Sequence, residues 1–282
     1  MMVEFAFICL AFYLLLAGTL ELGRMITVSQ AIQNAARVGA RDLALVPLPA
    51  TMTFQEALNT NVVRRTIYDP YLLAWDVSVG GMPSTDVTDA WPVINRMLLP
   101  VMIRERIGSA DILHFPGAVL RDASGQLTVA VPNVIGRDGQ GVETIRWLPV
   151  LEEVVPNPND PSSGPIPGPF SLASTGPERG LVALRINCPY QASTMTAYRV
   201  VGGGPSMLPV QADDSSVTQV NAAPGTLLGG PGDPEDLGPG AAYSGRFGLG
   251  KMYALGAANG GVRPFRRLIS QQSMFRREVF GQ

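Results

Sequence analysis

No proline occurs between residues 3 and 46, and only three glycines, Gly18, Gly23 and Gly39, fall in that stretch. The 282-residue chain holds 24 Pro and 31 Gly, and both residue types disfavour helix interiors. A run without prolines is therefore the feature that most restricts the fold. Residues 5–20, FAFICLAFYLLLAGTL, carry no charge. From residue 25 the pattern turns amphipathic. Met25, Val28, Ile32, Ala35, Gly39 and Leu43 recur at steps of three and four, and Gln30, Gln33, Arg37 and Arg41 form the other face. These steps predict one continuous helix, roughly 65 Å long at 1.5 Å per residue, broken by Pro47 and Pro49. Its first half is apolar on every side and its second half on one side, so one element serves two environments.

The flanks separate the uses such a helix can have. A cleaved secretory signal begins with basic residues, whereas this chain begins Met-Met-Val-Glu. A plain membrane anchor needs roughly 20 apolar residues. The sixteen of residues 5–20 fall slightly short, and an anchor gives Glu4 no role. A third use, a filament-forming helix, stands beside these two.

Three ordered blocks bear on that use: Val3-Glu4-Phe5-Ala6-Phe7, Leu20-Glu21-Leu22-Gly23-Arg24, and Gln33-Asn34-Ala35-Ala36-Arg37-Val38-Gly39-Ala40-Arg41. In type and spacing they resemble the TadE-like pilins of tight-adherence (Tad) pilus systems, of the class III signal peptide type. Those sequences read V-E-F-A, a leucine-rich run, E-x-G-R, and A-A-R-x-G-A-R. The likeness covers residues 3–45 and is loose beyond residue 50. It implies a prepilin inserted in the inner membrane and cut after a glycine by prepilin peptidase. Inner-membrane assembly machinery then draws it, with other pilins, into an extracellular filament of copies of itself. The resemblance also implies that Glu4 pairs with a neighbouring subunit's terminal amine. A carboxylate in apolar surroundings is costly unless paired. The family's basic, glycine-ended leader has no counterpart before Glu4, and the glutamate stands fourth rather than fifth. The chain is therefore expected to begin near the mature end or at a misassigned start.

The candidate assembly residues are Glu4, Phe5, Phe7, Leu10, Leu14, Gly18, Glu21 and Arg24. Glu21 and Arg24, three apart, are spaced for an intrahelical ion pair, either at a membrane exit or buried between subunits. Gly18, Gly23, Ala31, Ala35, Gly39 and Ala40 permit close helix approach. The small residues of 35–43 are assigned to the chain's own head and Gly18 to neighbours.

Beyond residue 46 the sequence predicts a β-rich head over 47–282. Thr53-Phe54-Gln55-Glu56 is a capping-box pattern opening a helix to about Tyr68, ended by Asp69-Pro70. Residues 72–79 read as a strand, and residues 88–107 as a helix kinked or broken at its centre by Pro92 and Pro100. Residues 117–122 and 126–131 flank Ala123-Ser124-Gly125 as a hairpin. Residues 142–148, 181–186 (LVALRI, the strongest) and 197–201 are further strands. The 181–186 strand runs into Asn187-Cys188-Pro189-Tyr190, weakly similar to the aromatic–proline pair closing a strand in TadE-like pilins. Residues 156–180 and 202–240 are long Gly/Pro-rich loops. Residues 264–280 read as a helix with Phe265, Leu268, Ile269, Phe275 and Val279 as a partial apolar stripe.

Charge is unevenly spread. Residues 205–240 hold Asp213, Asp214, Asp233, Glu235 and Asp236 and no base. The tail, 241–282, holds Arg246, Lys251, Arg263, Arg266, Arg267, Arg276 and Arg277 against Glu278 alone. Opposite patches on one chain suit head-to-tail contacts, or two solvated or intramolecularly paired faces. Arg37, Arg41, Arg266, Arg267, Arg276, Arg277 and the five acids are the candidate subunit contacts.

Chemistry is thinly represented. His114 is the one histidine and Lys251 the one lysine, and a net charge of −2 argues against nucleic-acid binding by bulk charge. Gly202-Gly203-Gly204-Pro205 lacks the Lys-Ser/Thr of a phosphate loop. Glu152-Glu153 reads as a solvated strand edge and His114 as packing or surface. Cys9 reads as a small core residue, and a bridge to Cys188 would need the apolar segment to fold back. The expectation is an α+β protein without cofactor, metal or catalytic site. It would be a pilin-like subunit moving from the inner membrane to the cell surface for adhesion or contact. The alternative is a membrane-anchored periplasmic or cell-surface binding protein or enzyme.

Overall fold

The computed structural model describes residues 2–80, 91–107, 110–122, 124–137, 143–154, 169–173, 176–191, 198–200, 218–219, 226–227, 253–254, 261–264 and 266–277. Helix α1 (Met2–Leu45) is continuous over 44 residues, as the absence of proline allows. Two short helices follow, α2 (Phe54–Leu58) and α3 (Asn61–Thr66). Thr53 and Glu56 form the expected reciprocal cap. The Thr53 N–H donates to Glu56 Oε2 at 2.8 Å, and the Glu56 N–H to Thr53 Oγ1 at 3.3 Å. The helix does not run on to Tyr68, because Thr60 intervenes. Its hydroxyl donates to Ala57 O at 2.8 Å and accepts the Val63 N–H at 3.3 Å, closing α2 and capping α3.

Of the strand expected over 72–79, only β1 (Ala74–Asp76) forms, between a 3-10 turn at Pro70–Leu73 and helix α4 (Val77–Gly80). Of the helix expected over 88–107, residues 88–90 lie outside the described residues, and from 91 on it is confined to α5 (Val93–Leu98). Pro100 lies in a following 3-10 turn, and Ile103–Ile107 is a strand, β2. Then come β3 (Ala110–His114), β4 (Ala118–Arg121), β5 (Leu127–Arg137), β6 (Glu143–Pro149), β7 (Leu151–Glu153) and β8 (Leu181–Gln191). Short strands β9 (Tyr198–Val200), β10 (Thr218–Gln219), β11 (Thr226–Leu227), β12 (Tyr253–Ala254) and β13 (Gly261–Pro264) precede β14 (Arg266–Arg276).

The strands make four sheets, ordered β1-β3-β2, β10-β6-β5-β4-β11, β12-β13-β9 and β14-β8-β7. Among the described residues every pairing is antiparallel except that of β10 with β6. The fold is mixed α+β. The β4–β5 hairpin turns where expected. Asp122 Oδ1 accepts the N–H groups of Ser124 and Gln126, both at 2.9 Å, and Gly125 takes the positive φ of 83° that the turn requires.

The tail is the main departure. Residues 264–280 were expected to be helical, whereas 266–276 form β14, paired with β8 in unbroken register from Arg266↔Gln191 to Arg276↔Leu181. The face of α1 that bears Ile32, Ala35, Ala36, Ala40 and Leu43 packs on this sheet and on α5. It joins Ile94, Leu98, Phe115, Phe170, Leu184 and Ile186 in one core. Two buried asparagines satisfy backbone groups within it. Asn95 bridges the N–H and C=O of Asp69, both at 2.8 Å. Asn187 donates to Pro149 O and accepts the Ser270 hydroxyl at 2.7 Å.

Candidate assembly interface

The two halves of α1 differ as the sequence predicted. Phe5, Phe7 and Phe12 are each about two-thirds exposed, and Leu10, Leu14, Leu15, Leu16 and Leu20 are more than half exposed. These residues lie on all sides of the helix, so no single face is held by the head. The helix is long and apolar enough to cross a membrane over Val3–Leu45, by length and composition. Glu4 lies in its first turn and is exposed. Cys9 is exposed on this segment rather than buried, while Cys188 is buried. Both are free thiols, and burial pushes the Cys188 thiol up to about 12.

The small residues divide between the halves. A Cβ at Gly18 or Gly23 would meet nothing within 4 Å. A Cβ at Gly39 would stand 2.4 Å from Ile94 Cδ1 and 2.7 Å from its Cγ1. Gly39 is where α1 and α5 touch, and Gly18 faces open space.

Where the apolar segment ends, α1 meets the head at a cluster of three side chains. Tyr190, at the end of β8, is buried, and its hydroxyl donates to Glu21 Oε1 and also reaches Glu21 O at 3.3 Å. Arg24 Nη1 lies 3.7 Å from Glu21 Oε2, and its guanidinium sits 5.8 Å from the centre of the Tyr190 ring. Burial, then the hydrogen bond to Glu21 and its negative charge, push the Tyr190 phenol well above its ordinary range. The Glu21–Arg24 pair expected from spacing therefore exists, but it belongs to the joint between helix and head. The sequence marked Tyr190 only as part of an aromatic–proline pair closing a strand, without a role at this joint. Its signal is an aromatic closing a strand, opposite the first acid after the charge-free run. Further along, Gln271 Nε2 of β14 donates to Ser29 Oγ at 2.8 Å.

The other candidate contacts scatter. Arg37 is exposed, and Arg41 is held by its neighbour Asp42 at 2.9 Å. Arg276 is exposed, with Nη2 donating to Pro177 O at 2.6 Å. Arg277 is turned inward. It donates to Leu48 O at 2.7 Å and Phe170 O at 3.3 Å, and lies over the Phe170 ring at 4.7 Å. Burial holds its guanidinium below the ordinary arginine range. It is a strut inside the chain rather than a surface contact. Arg266 and Arg267 are placed by the β14 register alone. Asp213, Asp214, Asp233, Glu235 and Asp236 lie outside the described residues.

The acidic pair on β7 is not solvated as expected. Glu152 Oε1 accepts from Asn187 at 3.0 Å and Arg185 at 3.4 Å. Glu153 Oε1 accepts the Phe170 N–H at 2.8 Å, and burial pushes its carboxyl up. His114 is buried in the core, with Nδ1 2.8 Å from Phe115 O. Among the described residues no group of three His, Cys, Asp or Glu stands together as a metal site.

A family model described as TadE-like protein matches residues 1–41. The match ends within α1, four residues before the helix does. No curated protein and no solved structure matches the chain. The match, together with the exposed apolar helix, suggests a pilin-like protein associated with the Tad pilus. It is compatible with a membrane-anchored precursor.

Proposed function

We propose that this chain is a structural pilin-like subunit. As a precursor it sits in the inner membrane by the first half of α1. It then polymerises with copies of itself through that same segment, and the head faces outward in an extracellular filament. The observation that carries the reading is the contrast within α1. One face of residues 28–44 lies on the chain's own head, while the apolar residues of 5–20, Ala17 apart, project from it on every side. An exposed apolar surface of that size marks an interaction with a membrane or with other proteins. A filament core made of such helices gives each one apolar neighbours without changing its conformation. Glu4 would then be neutralised by the terminal amine of an adjacent copy, and Gly18 and Gly23 would allow neighbouring helices to approach.

Electron microscopy of the purified material tests this. The expected result is helical filaments with the apolar helices bundled at the axis. Monodisperse, detergent-soluble monomers would overturn it and favour a membrane-anchored binding protein.

A further inference from the structure

We propose that the cleft between the turn of residues 176–180 and the end of β14 is a binding site for a small organic phosphate monoester. Leu172, Gly176, Pro177, Arg179, Arg276 and Arg277 line it, and its volume is about 460 Å³. That size is within the range of small-molecule sites, so an organic group fits beside the anion. The Arg277 N–H donates to Gly180 O at 2.8 Å, which ties the turn to the strand. β8 begins at this end, where Leu181 stands opposite Arg276, and reaches Tyr190 at the joint with Glu21. The strand between them puts the two ends about 30 Å apart. The cleft is thus remote from the apolar segment of α1, and the proposal does not rest on the use assigned to that segment.

Three arginines contribute to the cleft, and among the described residues none of them has an ion-pair partner. Arg277 is buried, and its guanidinium reaches the carbonyls of Leu48 and Phe170 and the Phe170 ring. Those partners accept hydrogen bonds but bring no formal negative charge, and a buried cation is costly without one. Burial moves its titration downward, and no anionic group opposes that shift. Arg276 is exposed, with its donation to Pro177 O at 2.6 Å holding it on the cleft wall. Arg179 is exposed, and its guanidinium has no partner among the described residues. Glu178, the acid of the same turn, is exposed and pairs with none of the three. A phosphate monoester carries close to two negative charges and three acceptor oxygens, which guanidinium forks bind bidentately. A carboxylate offers one charge and two oxygens. Leu172 and Pro177 give the organic part an apolar wall.

The test is calorimetric titration of the full chain, held in a neutral detergent, with glucose 6-phosphate at low ionic strength. Saturable binding is expected, weakened in about 0.5 M salt. Glucose should give none, and glucuronate, which presents a carboxylate on the same ring, should bind several-fold more weakly. Arg179→Gln removes a side chain without a partner in the fold and should weaken glucose 6-phosphate binding about three- to fivefold. Arg276→Gln should weaken it by a similar factor, and Arg146→Gln, on β6, should leave it unchanged. Thermal melting reports whether each variant folds, and if Arg276→Gln does not, Arg179→Gln decides. Absence of saturable binding to the native chain overturns the site. Unchanged binding in Arg179→Gln puts the ligand elsewhere and overturns it as well. Glucuronate bound as tightly as glucose 6-phosphate overturns the assignment to phosphate.

Discussion

Gly39 is the position where the crossing of α1 and α5 leaves no room for a side chain. A methyl group there would overlap Ile94, itself fully buried. Gly39→Ala is expected to destabilise the head by about 1–3 kcal/mol, the usual cost of overpacking. Adding Ile94→Val, which removes the clashing Cδ1, should return part of that loss. A double-mutant cycle of urea midpoints checks the coupling. Tyr190 carries a pH dependence. Its phenol titrates higher in the folded than in the unfolded chain, so its contribution to stability is complete below about pH 10 and is lost above it. Tyr190→Phe leaves the half-buried Glu21 carboxylate short of a donor. It should cost about 1–3 kcal/mol near neutrality and show a shallower alkaline decline than the native chain. Thermal melts between neutral and alkaline pH measure both effects. The Glu21–Arg24 contact alone would not show such an effect, because Arg24 is largely exposed.

At the level of elements, β14 is the strand on which α1 and β8 both depend. Ending the chain at Pro264 removes β14, uncovers one edge of β8 along its whole length and deprives α1 of its contact with Gln271. Loss of the cooperative thermal transition is expected, and near-ultraviolet circular dichroism reads it directly. This is also where the sequence was hardest to interpret. From Ile269 on, the half-buried positions of β14 alternate as Ile269, Gln271, Ser273 and Phe275, while Met274 points outward. Two of those four are polar, and Gln271 bonds to Ser29 of α1. The alternation of burial therefore has no matching alternation of hydrophobicity, and Leu268, Ile269 and Phe275 imitate a helical stripe. By contrast α1, the Asp122–Gly125 turn and β8 were legible. Each is written in local terms: absence of proline, an Asx side chain before a glycine, or a run of branched residues. The joint at Glu21 and Tyr190 was half legible. The Glu21–Arg24 spacing is local, but the tyrosine that completes it is 169 residues away along the chain.

For the molecule as a whole, the proposed function makes membrane insertion and polymerisation separable steps that use the same segment. Glu4→Ala removes one carboxylate and makes the segment more apolar. The chain should still float with membranes in a density gradient, while filament yield on imaging should fall severalfold or more. Normal filaments from that variant would remove Glu4 from assembly. The geometry also determines how the molecule responds to a pull. The contacts Glu21–Tyr190 and Ser29–Gln271 along α1, and Leu48–Arg277 just past its end, occur in order, so β14 and β8 run lengthwise beside the helix. Tension applied along the helix axis therefore loads the β14–β8 ladder in shear. Its eleven residue pairs must yield together instead of peeling apart one by one, and the head is built to stay folded while the thread it hangs from is stretched.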